Sequence, residues 1–530
     1  MDIGGTMITI SNLELRFGGQ LLFQDVNLKF VSGNCYGIIG ANGAGKSTFL
    51  KIISGQIDSY KGNVEVDDKC RMSVLQQDHF KYDDFTVFDT VIMGNKKLYD
   101  IMKEKEALYA KYDFTEEDGL KTAELEAEFA EMNGWDAETE IAQLLGGLGL
   151  DDSYLYLEMK NLKESEKVKI LLAQALFGSP DILLLDEPTN GLDIKSVEWL
   201  EEFLINFAGT VIVVSHDRHF LNTVCTHTVD IDYGKITTYA GNYDFWYQSS
   251  QLTQQLMKNQ NKKKEEKIAE LKAFIQRFSA NKSKSKQATS RKKILEKIQV
   301  EDMPASSRKY PYVNFKAEKT LSKEVIQANN LTVYNDEGKA ILSNVEFRIN
   351  KDDKIAVLGD DISVTAFFKA LVGESKYGGS IAVGANTKIS YLPNDKNSYF
   401  ECELNIIDWL AQFTKETDET FLRGFLGRML FSGEDGLKKV KVLSGGEKVR
   451  CMLSKMMLES GNLLMLDQPT NHLDLESITA LNDALIDFDG VVIFASHDHE
   501  FLSSIANRIF EIKDGKLIDR METFEEYISK

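Results

Sequence analysis

The chain has 530 residues, which is enough for two or more domains, and its net charge of −20 argues against a generally basic nucleic-acid-binding surface. Its apolar runs stay shorter than the roughly 18–20 residues that cross a bilayer, and the N-terminus lacks the basic flank and long apolar core of a secretory signal. The five cysteines lie far apart and form no C-x-x-C pair. Neither a zinc site nor a disulfide framework is therefore predicted, and a reducing cytoplasm fits.

The first predicted element with clear chemistry is a strand, a glycine-rich loop and a helix at 38–55, which reads IIGANGAGKSTFLKIISG. Residues 40–47 fit the pattern G-x-x-x-x-G-K-[ST], in which backbone N–H groups surround phosphate oxygens. The lysine of this pattern, Lys46, reaches the β- and γ-phosphates, Ser47 places its hydroxyl on Mg²⁺, and the following helix adds its positive end. The predicted nucleotide-binding residues of the loop are Gly40, Asn42, Gly43, Ala44, Gly45, Lys46, Ser47 and Thr48.

Residues elsewhere in the first half of the chain complete this chemistry. The apolar strand ILLLDEP at 182–188 ends in two carboxylates. Asp186 is predicted to lie near Mg²⁺, and Glu187 to orient or deprotonate the attacking water. Gln77 is predicted to sense Mg²⁺ and that water, and His216 to contact the γ-phosphate. Phe17, in LRFGG, is a candidate for stacking on adenine, with packing in the core as the alternative.

The chain is a repeat of itself. ILLLDEPTNGLD at 182–193 recurs as LLMLDQPTNHLD at 463–474, an offset of 281 positions (467 minus 186), and the SHD triplets recur at the same offset. The phosphate-loop helices match at 318 (367 minus 49), so the first copy carries about 37 extra residues. The surplus falls within about 85–140, where charged amphipathic segments predict an inserted helical arm. The alternative is a simple surface elaboration of the first domain.

A basic segment separates the two copies. Between 258 and 300 the chain has 14 Lys/Arg against 4 Asp/Glu, and apolar residues at helical spacing predict two antiparallel helices joined by a tip near 280–290. The predicted domains are therefore 7–244, with its arm, a linker at 245–322, and 323–530. Charges at the tip suit contacts with RNA phosphates, although a solvated hairpin is the alternative. The candidate RNA contacts are Lys282, Lys284, Lys286, Arg291, Lys292 and Lys293.

GANGAGKS, Gln77, LSGGE at 443–447, ILLLDEP, Leu192–Asp193 and SHD together resemble the ATP-binding cassette family. The resemblance implies an α/β fold, with two tandem cassettes of the P-loop NTPase type joined by a helical hairpin. It implies that the cassettes form a head-to-tail sandwich that binds ATP with Mg²⁺. Each ATP then lies between the phosphate loop of one cassette and the LSGGE signature of the other. The signature residues implied to bind ATP are Ser444, Gly445, Gly446 and Glu447.

Two cassettes without a membrane segment, joined by a charged linker of about 80 residues, resemble the ABC-F group. RFSANKSKSKQATSRKK at 277–293 and the closing SHDHEFLSSIANRIFEI resemble its YbiT-like branch. The resemblance implies a cytoplasmic, monomeric ATPase that enters the tRNA exit site of the ribosome and meets rRNA, exit-site proteins and P-site tRNA, without a transmembrane subunit. Two alternatives remain: an ABC-F protein that protects ribosomes from antibiotics, and the soluble ATPase subunit of a transporter.

The second copy keeps the frame of the phosphate loop and loses its chemistry. Matching the helices places Val364 at the position of Lys46 and Thr365 at that of Ser47, whereas matching at Gly359 puts Thr365 at the lysine. Asp360 and Asp361 add negative charge where phosphate would lie. Asn394 stands at the position of Gln77, and Gln468, which cannot act as a base, at that of Glu187, while Asp467 and His497 are retained.

The signature motifs show the reverse pattern. LSGGE is intact in the second copy, whereas the first copy reads LKESE, with Lys163, Glu164 and Ser165 at the variable positions. In a head-to-tail sandwich these losses fall together. The site that uses the first phosphate loop retains its parts, and the site that uses the second has lost most of them. We therefore predict one hydrolytic and one non-hydrolytic composite site.

Overall fold

The computed structural model describes residues 5–17, 20–232, 234–278, 308–335 and 338–529. The strands of the first cassette are β1 (Thr6–Phe17), β2 (Gln20–Val31), β3 (Cys35–Gly40), β4 (Lys61–Val66), β5 (Met72–Val74), β6 (Ile182–Asp186), β7 (Thr210–Val214), β8 (His227–Asp232) and β9 (Lys235–Ala240). Its helices are α1 (Lys46–Ile53), α2 (Val87–Ile92), α3 (Lys96–Tyr109), α4 (Glu116–Glu131), α5 (Ala137–Gly147), α6 (Glu164–Leu176), α7 (Ile194–Ile205) and α8 (Arg218–Val224). Short 3-10 helices lie at Gly134–Asp136, Asp152–Tyr154 and Met159–Asn161.

A mostly parallel sheet in the order β5-β6-β7-β3-β8-β9 forms the centre of the first cassette, and a smaller antiparallel sheet in the order β2-β1-β4 packs beside it. All residues of β3 are buried, as expected for a parallel strand covered on both faces. Strands β6, β7 and β3 are neighbours and run parallel. Their carboxyl ends therefore lie at one edge of the sheet, where open α/β sheets bind ligands.

Helices α3 and α4 occupy the interval predicted for the arm and pack against each other. The second begins with a capping box, in which Thr115 and Asp118 exchange hydrogen bonds between side chain and backbone. Lys105, on the facing helix, bonds Glu126 at 3.0 Å and lies over the Phe129 ring, 4.0 Å from its centroid. This charged pair is thus held across the contact of the two helices rather than fully solvated.

The second cassette repeats the first. Its strands are β10 (Glu324–Tyr334), β11 (Ala340–Asn350), β12 (Lys354–Leu358), β13 (Tyr377–Val383), β14 (Ile389–Leu392), β15 (Leu463–Asp467), β16 (Val491–Ala495), β17 (Arg508–Lys513) and β18 (Lys516–Arg520). Its helices are α10 (Asp361–Val372), α11 (Ile406–Ala411), α12 (Glu419–Arg428), α13 (Gly445–Glu459), α14 (Leu475–Ile486), α15 (His499–Ile505) and α16 (Phe524–Ile528), with 3-10 helices at Asn397–Phe400, Gly433–Leu437 and Val440–Val442. The sheet order β14-β15-β16-β12-β17-β18 matches that of the first cassette strand for strand, which confirms the predicted α/β fold of tandem cassettes.

The linker begins as one long helix, α9 (Tyr243–Phe278), whose base is held by the buried rings of Tyr243 and Trp246. The predicted tip, its six basic candidates and the predicted second helix lie outside the described residues. The chain is described again from Arg308 and reaches β10 without helix. Among the described residues, no helix is both long enough and apolar enough to cross a membrane.

The two cassettes contact each other through equivalent helices. Helix α8 of the first packs on α15 of the second, and the His219 and His499 rings stack with centroids 3.9 Å apart and planes at 16°. These residues stand near the same place in the two repeats, so the cassettes meet around an approximate two-fold axis. This arrangement places the carboxyl edge of each sheet against the other cassette.

Candidate nucleotide site

A cavity of about 960 Å³ lies between the cassettes, and we call it site one. From the first cassette it is lined by residues at the carboxyl edge of the sheet, and from the second by the start of α13. Its volume lies at the upper end of the usual range for ligand pockets. The predicted residues that line it are Asn42, Gly43, Gly45, Lys46, Ser47, Thr48, Gln77, Asp186, Glu187, His216, Ser444, Gly446 and Glu447.

The glycine-rich loop connects β3 to α1 through left-handed backbone at Gly43 and Gly45, with φ of 81° and 100°. Lys46 opens the helix and folds back over the loop, where its Nζ donates to the carbonyl oxygens of Gly40 at 2.8 Å and Ala41 at 3.3 Å. Burial lowers the pKa of this amine, and the nearby Glu187 carboxyl opposes the effect. The lysine is thus a buried cation held at the mouth of the loop.

The acidic residues of site one are paired with neighbouring side chains. Gln77 Nε2 donates to Asp186 Oδ2 at 2.8 Å, and His216 Nε2 lies 3.3 Å from Glu187 Oε1. Burial raises the pKa of Glu187 to about 8, within reach of neutral pH, and lowers that of His216 to about 3, so the imidazole is neutral near pH 7. Glu187 also has a φ of 52°, a left-handed conformation that places its side chain at the end of β6.

The second cassette contributes the amino end of α13. Ser444 caps this helix, because its Oγ accepts from Glu447 N–H while the Glu447 carboxylate accepts from Ser444 N–H at 2.9 Å. The two glycines between them pack against the loop at His472. A Cβ on Gly445 would lie 2.8 Å from the His472 ring, and one on Gly446 2.7 Å from its carbonyl oxygen. The exposed helix end in the cavity favours an anion.

A smaller cavity of about 540 Å³ lies at the equivalent place across the interface, and we call it site two. The second cassette lines it with Gly359, Val364, Gln468 and His497, and the first cassette with 193–195 and Glu198. Val364 is 2% exposed and packs beside Gly359, so an apolar side chain occupies the position that corresponds to Lys46 in the first cassette.

The retained acid of site two is bonded by the chain itself. Thr365 Oγ1 donates to Asp467 Oδ2 at 2.7 Å, which matches the alignment that places Thr365 at the position of Ser47. Burial raises the pKa of Asp467 to about 6, and the backbone N–H of Asn394 bonds the same carboxyl. The Asn394 carbonyl accepts from Lys396 Nζ at 2.9 Å.

Some predicted residues do not meet in these cavities. Lys163, Glu164 and Ser165 do not line site two, and Glu164 Oε1 lies 3.3 Å from Nδ1 of His79 in its own cassette. Gly40, Ala44 and Gly445 support their loops without lining site one. The Phe17 backbone ends β1, whereas its side chain lies outside the described residues.

Other residues in and around the two cavities escaped the sequence reasoning. Arg450, one turn after the signature on α13, lines site one, as do Asn471 and His472 of the second cassette. Lys396, which lines neither cavity, is 7% exposed and interacts electrostatically with Asp467, and burial lowers its pKa to about 8. Arg450 follows the LSGGE signature, and Asn471 and His472 lie in or next to the repeated PTN stretch, so these motifs could have pointed to all three residues. Nothing in the local pattern marks Lys396.

Comparisons with known proteins agree with this geometry. The ABC_tran family model, described as ABC transporter, matches residues 23–190, and the ABC_tran_Xtn model, with the same description, matches 229–315. The ABC transporter ATP-binding protein YkpA of Bacillus subtilis is 57% identical over 98% of this chain and 97% of its own length. The ATP-binding protein YbiT of Escherichia coli O157:H7 is 44% identical over 98% of this chain and 99% of its own.

Solved structures show the same tandem fold at low identity. RNase-L Inhibitor superposes with a TM-score of 0.61 at 16% identity, and archaeal ribosome recycling factor aABCE1, in complex with ribosomal stalk protein aP1, with 0.60 at 17%. Each superposition covers 98% of this chain and 92% of the other. Together with the relatives, the two matched sheets and the shared cavity, these findings show that the chain belongs to the two-cassette ATP-binding cassette proteins of the ABC-F type, alongside YbiT and YkpA.

Proposed function

We propose that the protein is an ATP-hydrolysing ABC-F translation factor. It binds the ribosome at the tRNA exit site in the cytoplasm and acts through its linker on P-site tRNA and the peptidyl-transferase centre. Site one hydrolyses ATP, and site two does not. The observation that carries the proposal is the lining of site one. There the loop lysine, both carboxylates and His216 of the first cassette meet the intact signature of the second.

The chemistry proposed for site one follows from these positions. Lys46 and the loop N–H groups bind the β- and γ-phosphates, and the amino end of α13 binds the γ-phosphate from the opposite side. Glu187 orients the attacking water and takes its proton, while His216 contacts the γ-phosphate. Since the signature belongs to the second cassette, ATP bound in this way holds the two cassettes together.

Mg²⁺ fits the same site. Ser47, Gln77 and Asp186 all line the cavity and provide the oxygen ligands that the ion prefers, and the 2.8 Å contact between Gln77 and Asp186 brings two of them together. Bound with ATP, the ion would neutralise charge on the β- and γ-phosphates. The three residues would hold it near the end of β6.

The ribosome proposal rests on the linker and on the family. Helix α9 has 36 residues, which corresponds to a length of about 54 Å, and it leads from the cassette interface into a segment with a net charge of +10. Closing the sandwich on ATP would reorient this helix, and basic residues at its far end would meet RNA phosphates. Partners of this chemistry are rRNA and P-site tRNA, with exit-site proteins against the arm. In this view the protein acts as a monomer.

A ribosome pelleting assay tests the proposal. Glu187→Gln with ATP is expected to trap the closed sandwich and to sediment with ribosomes and polysomes, because the water is no longer activated while the phosphate contacts remain. The matched control is the double variant Lys46→Ala, Glu187→Gln, which is expected to stay in the supernatant. If folded Glu187→Gln with ATP also stays off ribosomes, the proposal is wrong.

A further inference from the structure

Asp361 places a carboxylate between two side chains of site two that have counterparts in site one. Its Oδ1 lies 3.0 Å from Nε2 of His497 and accepts a hydrogen bond from Nε2 of Gln468 at 3.2 Å. Gln468 and His497 each stand 281 positions after their counterparts, Glu187 and His216, at the ends of equivalent strands. The pair in site one faces the cavity in which we place ATP. The pair in site two faces an anion of the chain itself.

The position of Asp361 on its helix points the same way. It is the first residue of α10. This helix corresponds to α1, whose amino end follows the phosphate loop. Asp360 caps the helix by accepting from Ser363 N–H at 3.0 Å, which leaves the Asp361 carboxylate to His497 and Gln468. The hydrogen bond from His497 is the main cause that holds the pKa of Asp361 below its ordinary value, so the group is an anion near neutral pH. Carboxylate and phosphate oxygens are the same kind of acceptor for such donors.

Gln468 turns its amide nitrogen to Asp361 and His497. The side chain is 3% exposed and its Nε2 lies 3.2 Å from Asp361 Oδ1 and 3.0 Å from His497 Nε2, while its Oε1 is buried without a hydrogen-bond partner among the described residues. A buried acceptor left unmatched is unfavourable, so the bond to the carboxylate has to outweigh that loss. A glutamate at this position would instead face Asp361 with a like charge.

In site two, side chains also occupy the place that corresponds to the proposed Mg²⁺ position of site one. Thr365 Oγ1 bonds Asp467 at 2.7 Å, and the buried Lys396 ammonium acts on the same carboxylate from nearby. In site one the corresponding acid, Asp186, accepts a hydrogen bond from the neutral amide of Gln77. Site two therefore supplies its own anion and its own cation.

We propose that the Asp361 carboxylate occupies, in site two, the place that a γ-phosphate oxygen takes in site one, and holds the second cassette in its ATP-bound arrangement without nucleotide. The inference rests on the proposed function for the roles of Glu187 and His216. Its consequence is that the signature at the start of α13 belongs to a cassette that needs no ATP of its own. Closing the sandwich then depends on the ATP in site one alone.

Rescue of Asp361→Ala by sodium formate tests this occupancy. The variant loses the contacts of an ionised carboxylate with His497 and Gln468 and opens a space of carboxylate size, so its melting temperature is expected to fall by about 5 °C. Formate, compared with sodium chloride at equal ionic strength, is expected to restore at least half of the loss and to leave the wild type unchanged.

Asp360→Ala is the matched control. It removes the neighbouring carboxylate of the same helix end, which does not contact His497, so formate is expected to raise its melting temperature no more than that of the wild type. Equal rescue of both variants would show a general effect of charge at the helix end and would overturn the proposal. So would an Asp361→Ala protein that melts like the wild type.

Asp361→Asn keeps the test decisive if the alanine variant does not fold. Asparagine fills the same space without the charge, so a smaller fall in melting temperature with no formate rescue is expected, whereas a melting temperature equal to that of the wild type would contradict the proposal. These readouts do not involve hydrolysis. A failure of the proposed function would appear instead as undiminished ATP turnover in Lys46→Ala, with the formate result unaffected.

Discussion

Glu187→Gln is expected to lower ATP turnover by about 10²–10⁴-fold while ATP binding is retained, because the amide cannot accept the proton of the attacking water. The substitution is nearly isosteric. The backbone N–H of His216 donates to Glu187 Oε2 at 3.2 Å, and the amide oxygen of glutamine can accept the same bond. Steady-state turnover together with equilibrium binding of ATP separates the two effects. Loss of binding in proportion to turnover would instead mean that the side chain only supports the site.

Gln468→Glu is the matched control for this substitution. It creates a carboxylate at the equivalent place in site two, 281 positions along the chain. Turnover is expected to stay within about twofold of the wild type, because the new carboxylate would stand beside a loop with Val364 in place of a lysine and opposite the Asp361 carboxylate. A clear gain in turnover would show that site two can bind and hydrolyse ATP.

Arg308→Ala is expected to lower the free energy of unfolding by about 3–5 kcal/mol, because it leaves buried carboxylates without their cation. The side chain is 10% exposed. It bonds Asp230 at 2.6 Å and Asp232 at 3.3 Å in the first cassette, and Glu476 at 2.9 Å in the second. Its guanidinium also lies over the ring of Trp246, 4.4 Å from the centroid. One residue thus ties the returning linker to α9 and to both cassettes.

Denaturant unfolding measures this effect, and Arg520→Ala provides the comparison. Arg520 bonds Glu511 at 2.9 Å but is 33% exposed, so its loss is expected to change stability by about 1 kcal/mol or less. Arg308→Lys is expected to recover part of the loss, since it keeps the charge without the planar fork. Equal unfolding midpoints for Arg308→Ala and Arg520→Ala would contradict the role of this cluster.

The sequence was informative where a motif is tied to a strand end. Each phosphate loop, acid pair and histidine follows a buried parallel strand, so spacing along the chain predicts that Lys46, Asp186 and His216 share one edge of the sheet. Matching the helices placed Thr365 at the position of Ser47, and the structure places its hydroxyl on Asp467. The constant offset of 281 likewise predicted two similar cassettes.

Residues whose partners come from distant parts of the chain could not be assigned in this way. Arg308 carries no motif, and its partners lie in β8 and α14, more than 70 residues away on either side. Asp361 was expected to repel phosphate, and its bonds to Gln468 and His497 depend on side-chain geometry that spacing does not contain. Glu164 was expected at site two, yet His79 from its own cassette binds it.

The number of ATP molecules bound by each chain tests the central claim most directly, which is that the sandwich has one working site. Equilibrium dialysis of Glu187→Gln against saturating ATP and Mg²⁺ is expected to give one tightly bound ATP per chain, and none when Lys46→Ala is added. Two tightly bound ATP molecules per chain, or one that survives Lys46→Ala, would contradict the account.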